Sequence, residues 1–372
     1  MNSYSFLDPV TREDMFYGYQ EEMDYIVKKV IAPGSRRQSF FVDGGSRMGK
    51  TSLLLQIERH LRQSGIRPSN DDSDQLVIIP LYLDMLDLDP TLNGFLGRAA
   101  LLLESYPSRY PIPFDISSRA AALLQSVKTH IDPFVPFTGA IYELEKAARP
   151  RQLRVVLLTD DLWRIRQQGR LTLARTLRAL HIETWIQHAM AFVITGSSRD
   201  WGESLASPLE NTLVYKELHV LDEKDALKLI NKPTEEKIPP QVALRVYRET
   251  GGHPFLLQYV MSTLCDQEDI KQLTEEDVDQ ATKKFQRERR DFEHWWKRMS
   301  EVDKKVYRIF RKIGPETGIA VDEFVDMGLS VNKLMLLDSL RALKTTGLIR
   351  EYPDNHYWLA GLWPARWFQE MR

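Results

Sequence analysis

The sequence predicts an α/β protein in which a parallel sheet is wound by helices and followed by a helical region and a small helix–strand unit. Three observations carry this. Strand-like runs recur at wide spacing with helical patterns between them. Several of those runs are continuously apolar rather than alternating, as strands buried on both faces are. Beyond about residue 220 the pattern changes to helices.

The strand runs are "SFFVD" (39–43), "LVIIPLYLD" (76–84), "RVVLLTD" (154–160), "AFVITGS" (191–197) and "VYKELHV" (214–220). Helical patterns fall at 51–63, 91–104, 138–148 and 170–188. Strands alternating with helices imply right-handed crossovers and a parallel sheet. "ESYPSRYPIPFDISS" (104–118) reads as irregular because of its prolines. Helices are expected at 222–231, 240–249, 254–265, 274–299 and 301–313. Near the end, 321–328 and 330–347 read as helices, and 348–352 with 356–360 as a two-stranded wing around "PDN".

Composition narrows the function classes. A chain of 372 residues is too long for one ordinary core. A net charge of −2 gives no general attraction to nucleic acid or membranes. The single cysteine, Cys265, excludes an intrachain disulfide and a cysteine-rich zinc site. The opening "MNSYSFLDPVTREDMFYG" lacks the order of a signal peptide, and no run reaches the ~20 apolar residues of a membrane span. The expectation is a cytoplasmic protein with no membrane partner.

"FFVDGGSRMGKTSLLLQI" (40–57) carries the chemistry. Gly44, Gly49, Lys50 and Thr51 fit G-x-x-x-x-G-K-[ST], between a strand and a helix. Glycines let backbone N–H groups curl around phosphate oxygens, and the helix start adds its positive dipole end. The nucleotide-binding stretch is thus Gly44, Gly45, Ser46, Arg47, Met48, Gly49, Lys50, Thr51 and Ser52. Lys50 would reach the β- and γ-phosphates, and the Thr51 hydroxyl would hold Mg²⁺. The fold class sharpens to a P-loop NTPase core.

Such a site needs a second strand ending in an acid. "RVVLLTDDLWRI" supplies Asp160 and Asp161. Asp160 would complete the Mg²⁺ shell and Asp161 would polarise an attacking water. Lys50, Asp160 and Asp161 are the candidate catalytic residues, and Thr51 and Asp160 the metal ligands. The next strand ends in "TGSSR", so Thr195, Ser197, Ser198 and Arg199 are candidates for sensing the γ-phosphate.

Here the chain resembles STAND-type and archaeal-type AAA-like ATPases. "MFYGYQEEMDYI" (15–26) looks like their F-x-G-R-x-x-E-[LM] segment, and "GGSRMGKTSLL", "VVLLTDD" and "FVITGSS" resemble their ordered motifs. "ETGGHPFLLQYVMSTL" (249–264) looks like their G-x-P-containing lid segment. The resemblance covers roughly 8–290. It implies an ATPase core over 1–220, a helical lid over 221–290 and a C-terminal winged helix over 291–372. It further implies a slow ATP-hydrolysing switch using ATP/ADP and Mg²⁺, with His253 or Pro254 near the nucleotide. Tyr19 departs from the family arginine, and Asp161 stands where many ATPases carry glutamate. By local chemistry alone, "GGHP" is a helix end followed by a proline-started helix.

Residues 281–312 hold twelve Lys/Arg and five acids, a local net of 12 − 5 = +7. Lys304, Lys305, Arg308, Arg341 and Lys344 are the candidate DNA contacts if the winged helix enters a groove. The expected partners are ATP, a separate effector or sensor protein and a second copy in the ATP state; the alternative is a DNA-binding AAA+ ATPase, similar to origin-recognition ATPases or transposition regulators, which would act on DNA through its winged helix.

Overall fold

In the computed structural model, the described residues are 3–32, 37–67, 75–164, 167–182, 188–197, 209, 211–235, 237–267, 269–329 and 331–370. Among them no helix is long and apolar enough to cross a membrane. The chain divides into two compact units.

The first unit comprises residues 20–43 and 50–216. Its elements begin with α1 (Gln20–Val30), β1 (Ser39–Asp43), α2 (Lys50–Ser64), β2 (Ile66–Arg67) and β3 (Leu76–Asp84). Three helices follow, α3 (Leu92–Arg109), α4 (Ser118–Ser126) and α5 (Phe134–Ala148). Then come β4 (Gln152–Asp160), α6 (Gln167–Ile182), β5 (Met190–Gly196) and β6 (Leu213–Glu217). The sheet order is β2-β3-β4-β5-β1-β6. The pairs β3–β4, β4–β5 and β5–β1 are parallel, and β2 joins β3 antiparallel. β1 and β5 are buried along their whole length, which is why they read as unbroken apolar runs. Phe41, Ile79, Leu157 and Phe192 share one core with apolar residues of α3, α5 and α6. Register brings Asp84 opposite Asp160 and Val42 opposite Thr195. The acids and the sensing candidate therefore share the carboxyl edge of the sheet, where open α/β sheets bind ligands.

Two expectations are corrected here. The stretch 104–118 is not irregular throughout, because α3 runs on to Arg109 with Pro107 in its last turn. Leu103 and Tyr106 bury apolar surface there and favour continuation of the helix. A helix not foreseen, α4, is capped by the Ser117 side chain, which accepts the Ala120 N–H.

The second unit comprises residues 1–19, 44–49 and 217–372. It holds α7 (Glu223–Asn231), α8 (Pro240–Thr250), α9 (Pro254–Cys265), α10 (Glu275–Glu288), α11 (Asp291–Arg298) and α12 (Glu301–Ile313). These lead into β7 (Ile319–Ala320), α13 (Glu323–Asp326), α14 (Lys333–Thr345), β8 (Ile349–Tyr352), β9 (His356–Leu359) and α15 (Leu362–Glu370). The strands form an antiparallel sheet in the order β7-β9-β8. The strand pair 348–352 and 356–360 is present as β8 and β9, and β7 adds a third strand.

The helix expected over 274–299 is two helices. Arg289 is extended and separates α10 from α11. Buried Phe285, Phe292, Trp295 and Trp296 carry the apolar spacing straight through the break, so periodicity could not reveal it. Trp295, Trp296 and Trp363 lie in the core: Trp363 packs edge-on to Phe285 at 4.7 Å, and Trp296 stacks on Phe368 at 5.3 Å.

Gly251 and Gly252 end α8 with positive φ angles of 60° and 68°. A Cβ on Gly251 would lie 2.3 Å from the Ala360 carbonyl carbon. The Gly251 carbonyl accepts from Arg350 Nη2 at 2.8 Å, and Arg350 Nη1 donates to the Tyr247 hydroxyl at 2.6 Å. The "GGHP" turn is therefore a packing joint with the segment that follows β9.

Candidate functional site

The end of β4 places two acids side by side. Asp160 is buried, and the Thr51 hydroxyl donates to its Oδ2 at 2.5 Å. The Tyr82 hydroxyl reaches the same oxygen at 3.3 Å. The Thr195 hydroxyl donates to Oδ1. Three hydroxyls thus converge on one carboxylate from α2, β3 and β5. Burial raises the Asp160 carboxyl above the ordinary carboxylate range, and the hydrogen bonds from Thr195 and Thr51 pull it back down. Burial, with the Asp160 charge beside it, raises the Tyr82 phenol, so Tyr82 stays a protonated donor.

Asp161 takes a positive φ of 51°, uncommon for a non-glycine residue and most tolerated by Asp and Asn. Its N–H donates to Thr195 Oγ1 at 3.3 Å, and its Oδ2 lies 3.5 Å from Arg164 Nε. Thr195, fully buried, accepts from Asp161 and donates to Asp160. Of the two sensing candidates among the described residues, Thr195 is the one seen on the acid pair. Ser197 is half-buried just past β5. Ser198 and Arg199 lie outside the described residues.

Thr51 and Asp160 are hard oxygen donors in hydrogen-bond contact, the donor set that suits Mg²⁺, which takes few protein ligands and keeps water and phosphate oxygens. Those two residues would hold the ion, which when bound would neutralise phosphate charge.

The loop 44–49 belongs to the second unit, and its shape is that of a tight turn. Arg47 and Gly49 have φ angles of 63° and 87°. Glycine bears this without strain, whereas Arg47 needs support from its surroundings. Gly44, Gly45 and Met48 are buried, and Ser46 and Arg47 are exposed. The Gly45 N–H donates to the Thr345 carbonyl at 2.7 Å. The Tyr19 hydroxyl shares its one proton between the Met48 carbonyl at 3.0 Å and the His219 carbonyl at 2.7 Å. Tyr19, where the resembled family has arginine, is thus a loop-holding residue. Lys50 and Ser52 open α2, with side chains of intermediate exposure.

His253 precedes α9 and Pro254 takes its first turn. The His253 ring is buried and stacks on Trp295 at 4.9 Å and 26°. Among the described residues neither ring nitrogen has a hydrogen-bond partner, and burial pulls the imidazole down to about 3. A Cβ on Gly347 would lie 2.9 Å from His253 Cδ2 and 3.1 Å from Met48 Sδ, so the histidine and the loop meet at one glycine.

The candidate DNA contacts do not form one free basic face. Lys344 lies 2.7 Å from Glu217 and 2.6 Å from Glu351, and Arg341 lies 3.0 Å from Glu217. Lys304 pairs with Glu301 at 2.8 Å. Lys304 and Arg308 also lie 5.3 and 5.5 Å from the Trp296 ring centroid. Lys305 and Arg308 are exposed. The outward side of α14 carries Leu334, Met335 and Leu337. Sequence reasoning missed the contacts of Tyr19 and the Glu217 partner of Arg341 and Lys344 because they lie far away in the chain.

No protein-family model and no curated protein sequence matches the chain. Among solved structures it is similar to a Walker-type ATPase of Pyrococcus abyssi, at 15% identity and a TM-score of 0.62, covering 98% of this chain and 99% of that one. Lower similarity is found to the Thermotoga maritima RuvB Holliday junction branch migration motor, at 14% identity and a TM-score of 0.44, covering 99% and 98%. The Aeropyrum pernix ORC1 protein in complex with DNA gives 13% identity and 0.47, covering 97% and 93%. The chain thus shares its overall fold with the P. abyssi Walker-type ATPase.

Proposed function

We propose that this chain is a STAND-like switch ATPase, which binds ATP with Mg²⁺, hydrolyses it slowly and uses the nucleotide state to control how its C-terminal helices engage partner proteins. One observation carries this reading: Thr51, the last residue of the phosphate-loop motif, forms a single hydrogen-bonded chain with Asp160, Thr195 and Asp161. Lys50 and the loop amides would hold phosphate, and Thr51 and Asp160 the metal. Asp161 would accept the proton of the attacking water. Asp161 is one methylene shorter than glutamate and is engaged by Arg164, both of which favour slow turnover. The three-stranded sheet with α12 and α14 is read as a winged helix, and α7–α10 as the lid. A cytoplasmic setting, a separate effector or sensor and self-assembly in the ATP state complete the reading.

Its test is the nucleotide released when freshly purified protein is denatured and chromatographed, followed by two variants. Lys50→Ala should lose most nucleotide binding. Asp161→Asn should keep binding and lose hydrolysis. Wild-type affinity in Lys50→Ala would overturn the cradle.

A second reading, a DNA-binding AAA+ ATPase, is favoured by exposed Lys305 and Arg308 on α12. The ion pairs of Arg341 and Lys344 and the apolar outer side of α14 count against a groove-reading role for that helix. Charge reversal at Lys305 and Arg308 should weaken DNA binding and flatten its salt dependence. Absence of wild-type binding at low salt would remove this reading.

A further inference from the structure

We propose that Arg47 and Asp291 form a brace that sets the shape of the phosphate loop, making nucleotide affinity depend on how α11 and α14 pack against that loop. The inference rests on the reading of residues 44–51 as a nucleotide cradle and adds its regulation.

Arg47 lies in the middle of the loop with left-handed backbone. Its Nε is 3.0 Å from Asp291 Oδ1, in a pair whose carboxylate side chain is only 12% exposed. Its guanidinium sits 4.3 Å from the Phe255 ring centroid, and its Nη1 donates to the Phe6 carbonyl at 3.3 Å. Ion pair, ring and carbonyl together fix a flexible side chain in one place, the condition under which an ion pair is worth more than a surface contact. Arg47 is a cation in a loop that would receive phosphate, yet its charge is committed to a carboxylate of the same unit.

Asp291 is well placed to report on the C-terminal helices. It opens α11 immediately after the break at Arg289, and it also accepts from Arg289 Nε at 2.9 Å. The brace therefore sits on the joint between α10 and α11. A second hold acts on the loop from α14. Carbonyls at a helix C-terminus lack intrahelical partners, and the Thr345 carbonyl takes the Gly45 N–H as its donor. A Cβ on Gly45 would lie 2.8 Å from that oxygen, so only glycine allows the approach. Tyr19 supplies a third hold at the Met48 carbonyl.

Residues 45, 47 and 48 are thus held from three separate segments of one unit. A loop that must present several N–H groups to phosphate binds more tightly when its ordering is completed beforehand. Coupling is reciprocal, so nucleotide binding must strengthen the docking of α11 and α14 to the same degree. Arg47 and Asp291 are positioning residues in this scheme.

The experiment is a double-mutant cycle. Binding of a fluorescent ADP analogue with Mg²⁺ is measured for wild type, the single variants Asp291→Asn, Arg47→Gln, Arg47→Asp and Asp291→Arg, and the charge-swapped pair Arg47→Asp with Asp291→Arg. Each single variant should bind about tenfold more weakly, mainly through faster release, and the charge-swapped pair should recover most of the loss. Wild-type affinity in the singles, or a swapped pair no better than the sum of its parts, would overturn the brace. Arg47→Gln, on an exposed loop position, keeps the test available if Asp291→Asn does not fold. If wild type binds no nucleotide, the cradle reading fails instead. The brace is then judged by amide exchange of residues 44–49, about tenfold faster in Arg47→Gln if it exists and unchanged if it does not.

Discussion

The Thr195 hydroxyl accepts the Asp161 N–H at 3.3 Å and donates to the Asp160 carboxylate, so one side chain on β5 orients both acids at the end of β4. Its position is fixed by strand register, with Thr195 opposite Val42 of β1.

Thr195→Val keeps the shape and removes both hydrogen bonds. It should cost about 1–3 kcal/mol of stability, the usual penalty for leaving buried polar groups unsatisfied. It should lower ATP turnover more than ADP binding, because the acids are misaligned while the phosphate loop is unchanged. Thermal unfolding and a single-turnover assay measure the two effects. Wild-type turnover in a stable variant would remove Thr195 from the site.

The Asp160 carboxyl is raised by burial. A raised acid favours its neutral form in the fold, so its ionisation subtracts stability as pH climbs through the folded value. The metal-dependent nucleotide binding proposed above would have the opposite dependence, since it would need the carboxylate. Affinity for Mg²⁺-ADP should fall in mild acid, and Thr195→Val should move that fall to higher pH because a hydrogen bond that lowers the group is gone. Titration of ADP affinity against pH, with and without Mg²⁺, checks both.

His253 gives a pH effect on stability. Its folded value is held near 3, below the ordinary imidazole value of about 6.5, so protonation favours the unfolded chain. The stabilisation is complete above about 6.5 and is lost as pH falls toward the folded value, at up to ~1.4 kcal/mol per pH unit. His181, lowered to about 4 by burial and Arg37, acts in the same direction. His253→Phe keeps an aromatic ring beside Trp295 and should flatten the dependence by about one proton. Equal slopes in urea unfolding between pH 7 and 4 would show that His253 is not buried as described.

Gly251→Ala should destabilise by about 2–4 kcal/mol, combining the cost of a positive φ with a clash against the Ala360 carbonyl carbon. Denaturant midpoints at constant slope measure it. A loss below 0.5 kcal/mol, roughly the size of a neutral surface change, would mean that the joint opens easily.

Glu249 is fully buried, with Arg245 Nε at 3.0 Å and Arg366 Nη1 at 3.1 Å. Glu249→Gln leaves two cations that can turn to water, so the expected loss is about 1–3 kcal/mol, below that of an enclosed pair. Arg366→Ala should cost less than this, because Arg245 remains on the carboxylate. Calorimetric unfolding of the two variants ranks them.

By itself the sequence determined the local parts of this protein: buried strands as apolar runs, the glycine–lysine–threonine motif between a strand and a helix, the adjacent acids, and a helical C-terminal half. Each is legible because it depends on residue type, spacing and near neighbours. What only the tertiary structure decided are pairings across long chain separations: Thr195 on Asp160, Tyr19 on Met48, Arg47 on Asp291, Arg341 and Lys344 on Glu217. The break between α10 and α11 belongs with these, since apolar spacing runs through it while Asp291 is held by Arg47 and Arg289. Spacing sets which face a side chain presents, but packing and electrostatics among distant segments select the partner it meets.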